Sequence, residues 1–470
     1  MMKIHFNPKD FLRQFKLAAS FATVRDIKPV LCNVKVVADK RGGVVLMATD
    51  TEVGIRCRVD ADVSANGEAL LPPKQFRQIL ESAKDGRLTI ESTKNGILVT
   101  GEHGEQWGLD TQSPDEFPDV AEFAETAYHE IPAKALSEMI RRTIFAIDME
   151  DIRYALGGVC FECDGDSLTA VATDGRRLAT QDADGFCVNG HGFDPAIIPV
   201  NVLKLMTKVL REKSVSDTDD VKMAIHTVVD KERRTSGTVH FDCGNVTIFS
   251  RLVDGKFPKW RGIVPKPEDR LHAQVHCKTL QKALDRMVTT KTESGVLFTF
   301  RRGGLALESR TKESGESKAA IPVACNEPAE FILDVSFARD YLRTLDAETA
   351  IDIYMTVDND PVLFEIGDGN YRYVVMPMSN EKTAATPAAT AKPEADTGVE
   401  VVGQESTMEE SMNDTDEFPC PDDDTDLQTR FFQLQMEQDQ LQAKVEQYKV
   451  LLDRAMRVIE RMKNEQRVCV

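Results

Sequence analysis

Three kinds of side chain stand at spacings that could do chemistry: paired aspartates, a close cysteine pair, and rows of lysine and arginine. Asp50 and Asp174 each follow a threonine, in ATDTEV and VATDGRRLA. Paired carboxylates can hold a metal for hydrolytic chemistry. These two stand at matching places in two repeats, beside a turn, so the expectation is that each side chain bonds the nearby backbone instead. Cys160 and Cys163 form a CxxC, but no second pair completes a zinc set. Residues three apart on a strand face opposite sides, so 159–163 reads as sheet core. GxxxxGK[ST], HExxH and GxSxG are missing from the sequence, which argues against a phosphate-loop ATPase and against those hydrolases. The eight histidines are isolated in sequence and receive no role. The reading is therefore of a non-enzyme with no cofactor and no metal.

The remaining chemistry is positive charge at helical spacing. In 8–22, Phe11, Leu12, Phe15, Ala18 and Ala19 share one face, and Lys9, Arg13 and Lys16 share the other. In 199–213, Leu203, Met206 and Leu210 face in, and Lys204, Lys208 and Arg211 line the opposite side. Lys74 with Arg77, Arg141 with Arg142, Lys278 and Lys282 with Arg286, and Arg339 with Arg343 fill comparable places. One such stripe is an ordinary solvated face. Six, in a chain of net charge −19, form a pattern. Bases so placed meet phosphates without reading sequence, and neither a base-reading helix nor a stacking row for single strands stands out.

These stripes sit on elements that recur. Helical patterns at 8–22, 132–147 and 276–290 each begin a long unit, and a strand pair follows each. Second helices come at 72–84, 199–213 and 335–346, and alternating apolar and polar residues close every unit as half-buried antiparallel strands. The body is read as three copies of one α+β module, two helices on one side of a sheet, spanning 1–127, 128–268 and 269–380. Pointed inward in a ring, the helices would offer duplex DNA a nonspecific positive wall.

Charge is unevenly distributed. Between Glu381 and Asp426 fourteen acids face two bases, a net of −12; from Leu427 to Val470 eight bases face six acids, a net of +2. Taking both from −19 leaves 1–380 at −9. A mildly acidic body can still focus a positive field on one surface. The ten scattered cysteines suit reduced thiols and a cytoplasmic home. No signal peptide and no membrane span are expected.

In combination, KPVLCNV at 28–34, ATDTEV at 48–53, DIRYALGG at 151–158, VATDGRRLA at 171–179, LVDGKFPKWRGIVP at 252–265 and YVVMPM at 373–378 resemble the beta subunit of DNA polymerase III, the bacterial sliding clamp. The resemblance covers 1–380. It implies a head-to-tail homodimer, a ring that encircles double-stranded DNA as a processivity factor. It also implies a pocket between the second and third modules that takes short peptides of the replicative polymerase, the clamp loader and repair proteins. The matching positions are Leu156, Thr173, Gly175, Arg176, Arg177 and Leu178, then Pro258 and Ile263, then Val374, Val375, Met376, Pro377 and Met378. Arg25, Lys74 and Tyr154 match positions near DNA. Trp107 and Leu109 match an apolar dimer strand, facing Thr289 and Thr290, which are more polar than the family pattern. Gly262, Ser379 and Asn380 also depart from it.

The family ends near residue 380. Here 381–426, rich in Ala, Thr, Pro and acid, reads as a disordered linker. Across 427–466, spacing of four and three selects Leu427, Phe431, Leu434, Gln438, Leu441 and Val445, then Tyr448, Leu452, Ala455, Ile459 and Met462. That pattern predicts a parallel coiled coil joining two subunits, with Gln438 setting register.

Overall fold

The computed structural model describes residues 2–378 apart from 23–27, 84–85, 94–95, 149–154, 165–166, 185, 189–191, 212–218, 230–234, 288–294, 312–314, 326, 357–359 and 368. The acidic linker and the expected coiled coil lie outside the described residues. One element order occurs three times: strand, helix, five strands, helix, three strands. Module I runs β1 (Lys3–Phe6), α1 (Pro8–Ala19), β2 (Val34–Asp39), β3 (Gly43–Thr49), β4 (Val53–Val59), β5 (Asp62–Ala65), β6 (Gly67–Leu71), α2 (Pro73–Ser82), β7 (Leu88–Ser92), β8 (Gly96–Thr100) and β9 (Gln106–Asp110). Module II runs β10 (Tyr128–Pro132), α3 (Ala133–Thr143), β11 (Gly158–Asp164), β12 (Ser167–Thr173), β13 (Arg177–Asp184), β14 (Phe186–Val188), β15 (Ala196–Pro199), α4 (Val200–Leu210), β16 (Asp220–Val229), β17 (Thr235–Asp242) and β18 (Val246–Arg251). Module III runs β19 (Leu271–His276), α5 (Cys277–Arg286), β20 (Gly295–Arg301), β21 (Gly304–Thr311), β22 (Gly315–Pro322), β23 (Ala324–Cys325), β24 (Ala329–Asp334), α6 (Val335–Leu342), β25 (Ala350–Met355), β26 (Val362–Ile366) and β27 (Tyr371–Val375). No described helix is long and apolar enough to cross a membrane.

Helix starts agree with the sequence reading to within a residue because local chemistry fixes them. Asn7 caps α1, accepting from Lys9 N at 2.9 Å, and Asp334 caps α6 through Ser336 N at 2.8 Å. Helix ends come earlier than expected. After Ala19 the Ser20 N–H is shared between the Lys16 and Leu17 carbonyls, a tightened last turn.

The expectation of one sheet per module needs correction. Strands are shared between modules. A nine-stranded sheet runs β14-β10-β16-β17-β18-β4-β3-β2-β6, joining five strands of module II to four of module I across β18 and β4. A second, β15-β11-β12-β13-β27-β26-β25-β19-β23, joins four of module II to five of module III across β13 and β27. Module I keeps a five-stranded sheet ending on β9, and module III a four-stranded sheet ending on β22. A strand with an unpaired edge is a liability, and the module junctions remove it by pairing.

The junctions also orient the helices. Ile248 on β18 is paired with Ile55 on β4, and both are fully buried in the core beneath the helices. Directly opposed residues share a face of a sheet, so α1–α2 and α3–α4 lie on the same side. Tyr373 on β27 pairs with Ala179 on β13 in that same core, and Tyr373 stacks on Tyr341 of α6 at 4.9 Å. All six α-helices therefore pack on one face of the sheets.

The two aspartates act as turn formers. Asp50 Oδ1 accepts from Glu52 N at 2.9 Å and Val53 N at 2.7 Å; Asp174 Oδ1 accepts from Arg176 N and Arg177 N at 3.0 Å. Thr49 and Thr173 complete matching networks. The next residue is left-handed in both, Gly175 at φ 87° and Thr51 at φ 78°. A β-branched residue is strained there. Thr51→Gly should thus raise stability by about 1 kcal/mol, and chemical denaturation would read this as a higher midpoint at unchanged slope.

Candidate functional site

The helix face opposite the core is basic. Lys9, Arg13 and Lys16 on α1, Lys74 on α2, Lys204 and Lys208 on α4 with Arg211 at its C-cap, and Lys278, Lys282 and Arg286 on α5 are all on the exposed or half-exposed side. Some are partly compensated. Lys16 pairs with Glu81 at 2.9 Å, and Lys278 with Glu348 at 3.3 Å. Hydrogen bonds from Lys16 and then Arg77 hold the Glu81 carboxyl below its ordinary range. Two arginines assigned to this row belong elsewhere. Arg142 donates to Gln181 Oε1 at 2.9 Å and lies over the Tyr371 ring, bridging modules II and III. Arg339 donates to the Leu284 carbonyl and faces Asp285 on α5. Both are interior packing groups because their helix positions turn toward the sheet and the neighbouring helix.

The β13–β27 seam has two chemically distinct faces. On the helix face Arg177 is caged. It bonds Asp174 Oδ2, Asp340 Oδ2 and the Phe145 carbonyl, each at 2.9 Å, and stacks 4.4 Å from the Phe337 ring. Burial works against its charge, but Tyr373, Asp340 and Asp174 together hold its pKa above the usual arginine range. On the outer face Leu156, Leu178 and Val374 join Val171, Phe257 and Trp260 in a separate apolar cluster. Trp260 Nε1 donates to Glu162 Oε1 at 3.1 Å, and Arg261 pairs with the same carboxylate at 2.5 Å.

Strand alternation therefore divides the expected pocket set. Leu178 and Val374 oppose each other on the outer face, whereas Arg177 and Val375, one residue along, oppose each other on the helix face. Arg177 and Val375 thus lie on the opposite face of the seam from the apolar cluster that holds Leu178 and Val374. Thr173 is buried and Gly175 shapes the turn. Arg176 is exposed, Pro258, Ile263, Met376 and Pro377 are half-buried, and Met378 is exposed beside them in sequence. Arg176 accepts through its carbonyl from Met376 N at 2.9 Å, which fixes the closing segment against the seam. Sequence reasoning missed Trp260, Phe257 and Glu162 as parts of this surface, although an aromatic beside FP in a polar stretch was a usable signal.

Trp107 and Leu109 lie half-buried on the edge strand β9. Arg25, Tyr154, Thr289, Thr290, Ser379 and Asn380 lie outside the described residues. Among the described residues no three His, Cys, Asp or Glu side chains form a metal-holding group.

Three modules sharing sheets edge to edge, with all six α-helices on one face, define the sliding-clamp class of fold. Residues 2–121 match the N-terminal domain of the DNA polymerase III beta subunit, and 130–259 match its central domain. The beta sliding clamp of Pseudomonas aeruginosa is 28% identical over 372 residues, 78% of this chain and 97% of the relative. That of Halalkalibacterium halodurans is 24% identical over 385 residues, covering 79% and 95%. The solved P. aeruginosa sliding clamp bound to griselimycin superposes with a TM-score of 0.71 at 26% identity, over 81% of this chain and all of that one. This chain belongs to the DNA polymerase III beta subunit family; it is a sliding clamp.

Proposed function

We propose that two copies of this chain close head to tail into a ring around duplex DNA and tether a replicative polymerase through the outer seam. One observation carries the ring. Both internal junctions pair the ninth strand of a module with the fourth strand of its neighbour, and each makes nine strands from five and four. Of the ninth and fourth strands, those left without a junction are β9, the ninth of module I at one end of a five-stranded sheet, and β22, the fourth of module III at one end of a four-stranded sheet. They are the two halves of a third junction, and a second copy supplies the missing half to each. Matching the repeats, with Ile248 opposite Ile55 and Tyr373 opposite Ala179 as guides, sets Trp107 against Ser317 of the partner subunit and Leu109 against Gly315 of the partner subunit. Small residues there leave room for the large ones.

The enclosed wall carries the lysines and arginines of the helices, with Arg25 and Tyr154 added by resemblance. Such contacts hold DNA through phosphates and permit sliding. Lys204→Ala with Lys208→Ala should weaken duplex binding roughly tenfold and lower the slope of log K against log salt by about 1.8. A fluorescence titration across salt concentrations measures both. An unchanged slope would remove these residues from the DNA surface.

The outer apolar cluster, edged by Pro258, Ile263, Met376, Pro377 and Met378, suits a short peptide with apolar anchors from polymerase, loader or repair proteins. The 427–466 segment would pair as a coiled coil across the ring, raising the effective concentration of one subunit near the other through a linker of about 35–40 Å r.m.s. span. The ring itself is tested by loading on nicked circular DNA. Retention should be lost on linearising the circle; equal retention on both forms would indicate a scaffold that does not encircle DNA.

A further inference from the structure

The second, third and sixth strands of each module set three residues side by side on the outer face of the sheet. They are Lys35, Met47 and Leu70 in module I, and Cys160, Val171 and Ile197 in module II. In module III they are Leu297, Glu308 and Ile332. A Phe-Pro segment covers the first two sets. Phe117 of Phe117-Pro118 is buried in one cluster with Met47 and Leu70, and Phe257 of Phe257-Pro258 in one with Cys160, Val171 and Ile197. In module III the alternate residues Val296, Phe298 and Leu333 fill the core, whereas Leu297 and Ile332 are half-exposed and join neither the core nor those two clusters. No Phe-Pro follows β27 before the described residues end at Met378.

The chain beyond the body supplies the missing segment. Residues 416–419 read Asp-Glu-Phe-Pro, identical to 115–118, and Phe418 is the one aromatic between 379 and 430. The tail also starts on the uncovered face. The Met378 N–H donates to the Ile332 carbonyl at 2.8 Å, and the Met378 side chain is exposed. Charge agrees as well. Nine acids and no base lie in 409–426. Arg301, at the end of β20 on the same face, is exposed with no ion-pair partner among the described residues. An extended chain covers about 3.3 Å per residue, so the stretch from 378 to 418 sets no limit on reach. We propose that 416–419 of the same chain docks on the outer face of module III. Phe418 lies over Leu297 and Ile332 there, as Phe117 lies with Met47 and Leu70 in module I. The contact buries apolar surface that the body leaves open and draws the acids toward Arg301. It also holds residue 427, where the heptad pattern starts, close to module III. It depends neither on ring closure nor on peptide binding at the β13–β27 seam.

Amide hydrogen exchange of the full chain, read by mass spectrometry, tests the contact. After correction for intrinsic rates, the amides of 416–420 should exchange at least tenfold more slowly in the natural chain than in Phe418→Ala. Ile332→Glu should release them to the same extent. Phe431→Ala, outside the docked segment, should exchange as the natural chain does. Phe418 lies outside the body, so its variant keeps the comparison valid even if Ile332→Glu folds poorly. Equal exchange in the natural chain and Phe418→Ala would overturn the docking. Protection that survives Ile332→Glu but is lost in Ile263→Glu would overturn it too, by placing the tail on the seam. So would protection lost on dilution to single chains, which would give the segment to the partner subunit.

Discussion

Alanine at both Trp107 and Leu109 should leave single chains in solution at concentrations where the natural protein is paired. At the two internal junctions the matching positions of the ninth strand are packed completely: Ile248 and Tyr373 are 0% exposed, as are their partners Ile55 and Ala179. Trp107 and Leu109 instead remain half-buried within one chain, and a second copy would complete their burial. Removing two large apolar anchors from the centre of an interface costs roughly 3–4 kcal/mol, a rise in dimer Kd of roughly 10²–10³-fold. Sedimentation velocity over a dilution series measures it, with the thermal transition checking that module I still folds. The same pair of changes in 1–380 and in the full chain separates the two ends of the assembly. A tail that joins subunits will soften the defect in the full chain, and identical dissociation in both would remove the coiled coil from ring support. An undisturbed dimer in every case would mean that β9 is no ring junction.

Arg177→Ala should cost roughly 3–5 kcal/mol of stability, because it strands two carboxylates that the guanidinium now neutralises. The side chain is 10% exposed, and Asp174 and Asp340 are 13% and 30% exposed. Those partners come from the module II turn and from α6 of module III, so the loss falls on the seam. A drop in Tm of about 4–6 °C is expected for a body of this size. Arg177→Lys should recover only part of it, since an ammonium keeps the charge but cannot serve Asp174, Asp340 and the Phe145 carbonyl with one planar fork. Calorimetry on both variants tests this. A peptide-pocket role would instead leave Tm intact and change only partner affinity.

By itself the sequence determined everything that local chemistry can set. Helix starts follow from Asn7, Asp334 and the prolines at first positions, because capping and proline geometry act within a few residues. The Asp50 and Asp174 turns follow from the TD pairs, since the bonds involved span two or three residues. The basic stripes followed from the helical period, and the threefold repeat and family motifs from residue order alone. Only the tertiary structure decided which strands meet across modules. Pairings such as Val246 with Cys57 or Gln181 with Tyr371 join residues roughly 190 positions apart, and strand alternation carries no information about a distant partner. The same gap left open which face Arg177 and Val375 take: a one-residue step on a strand exchanges the faces of the sheet, and which face is outer depends on where the helices pack. It also hid His129 beside Cys163, 34 residues apart in the chain and 3.3 Å apart in space although β10 and β11 belong to different sheets.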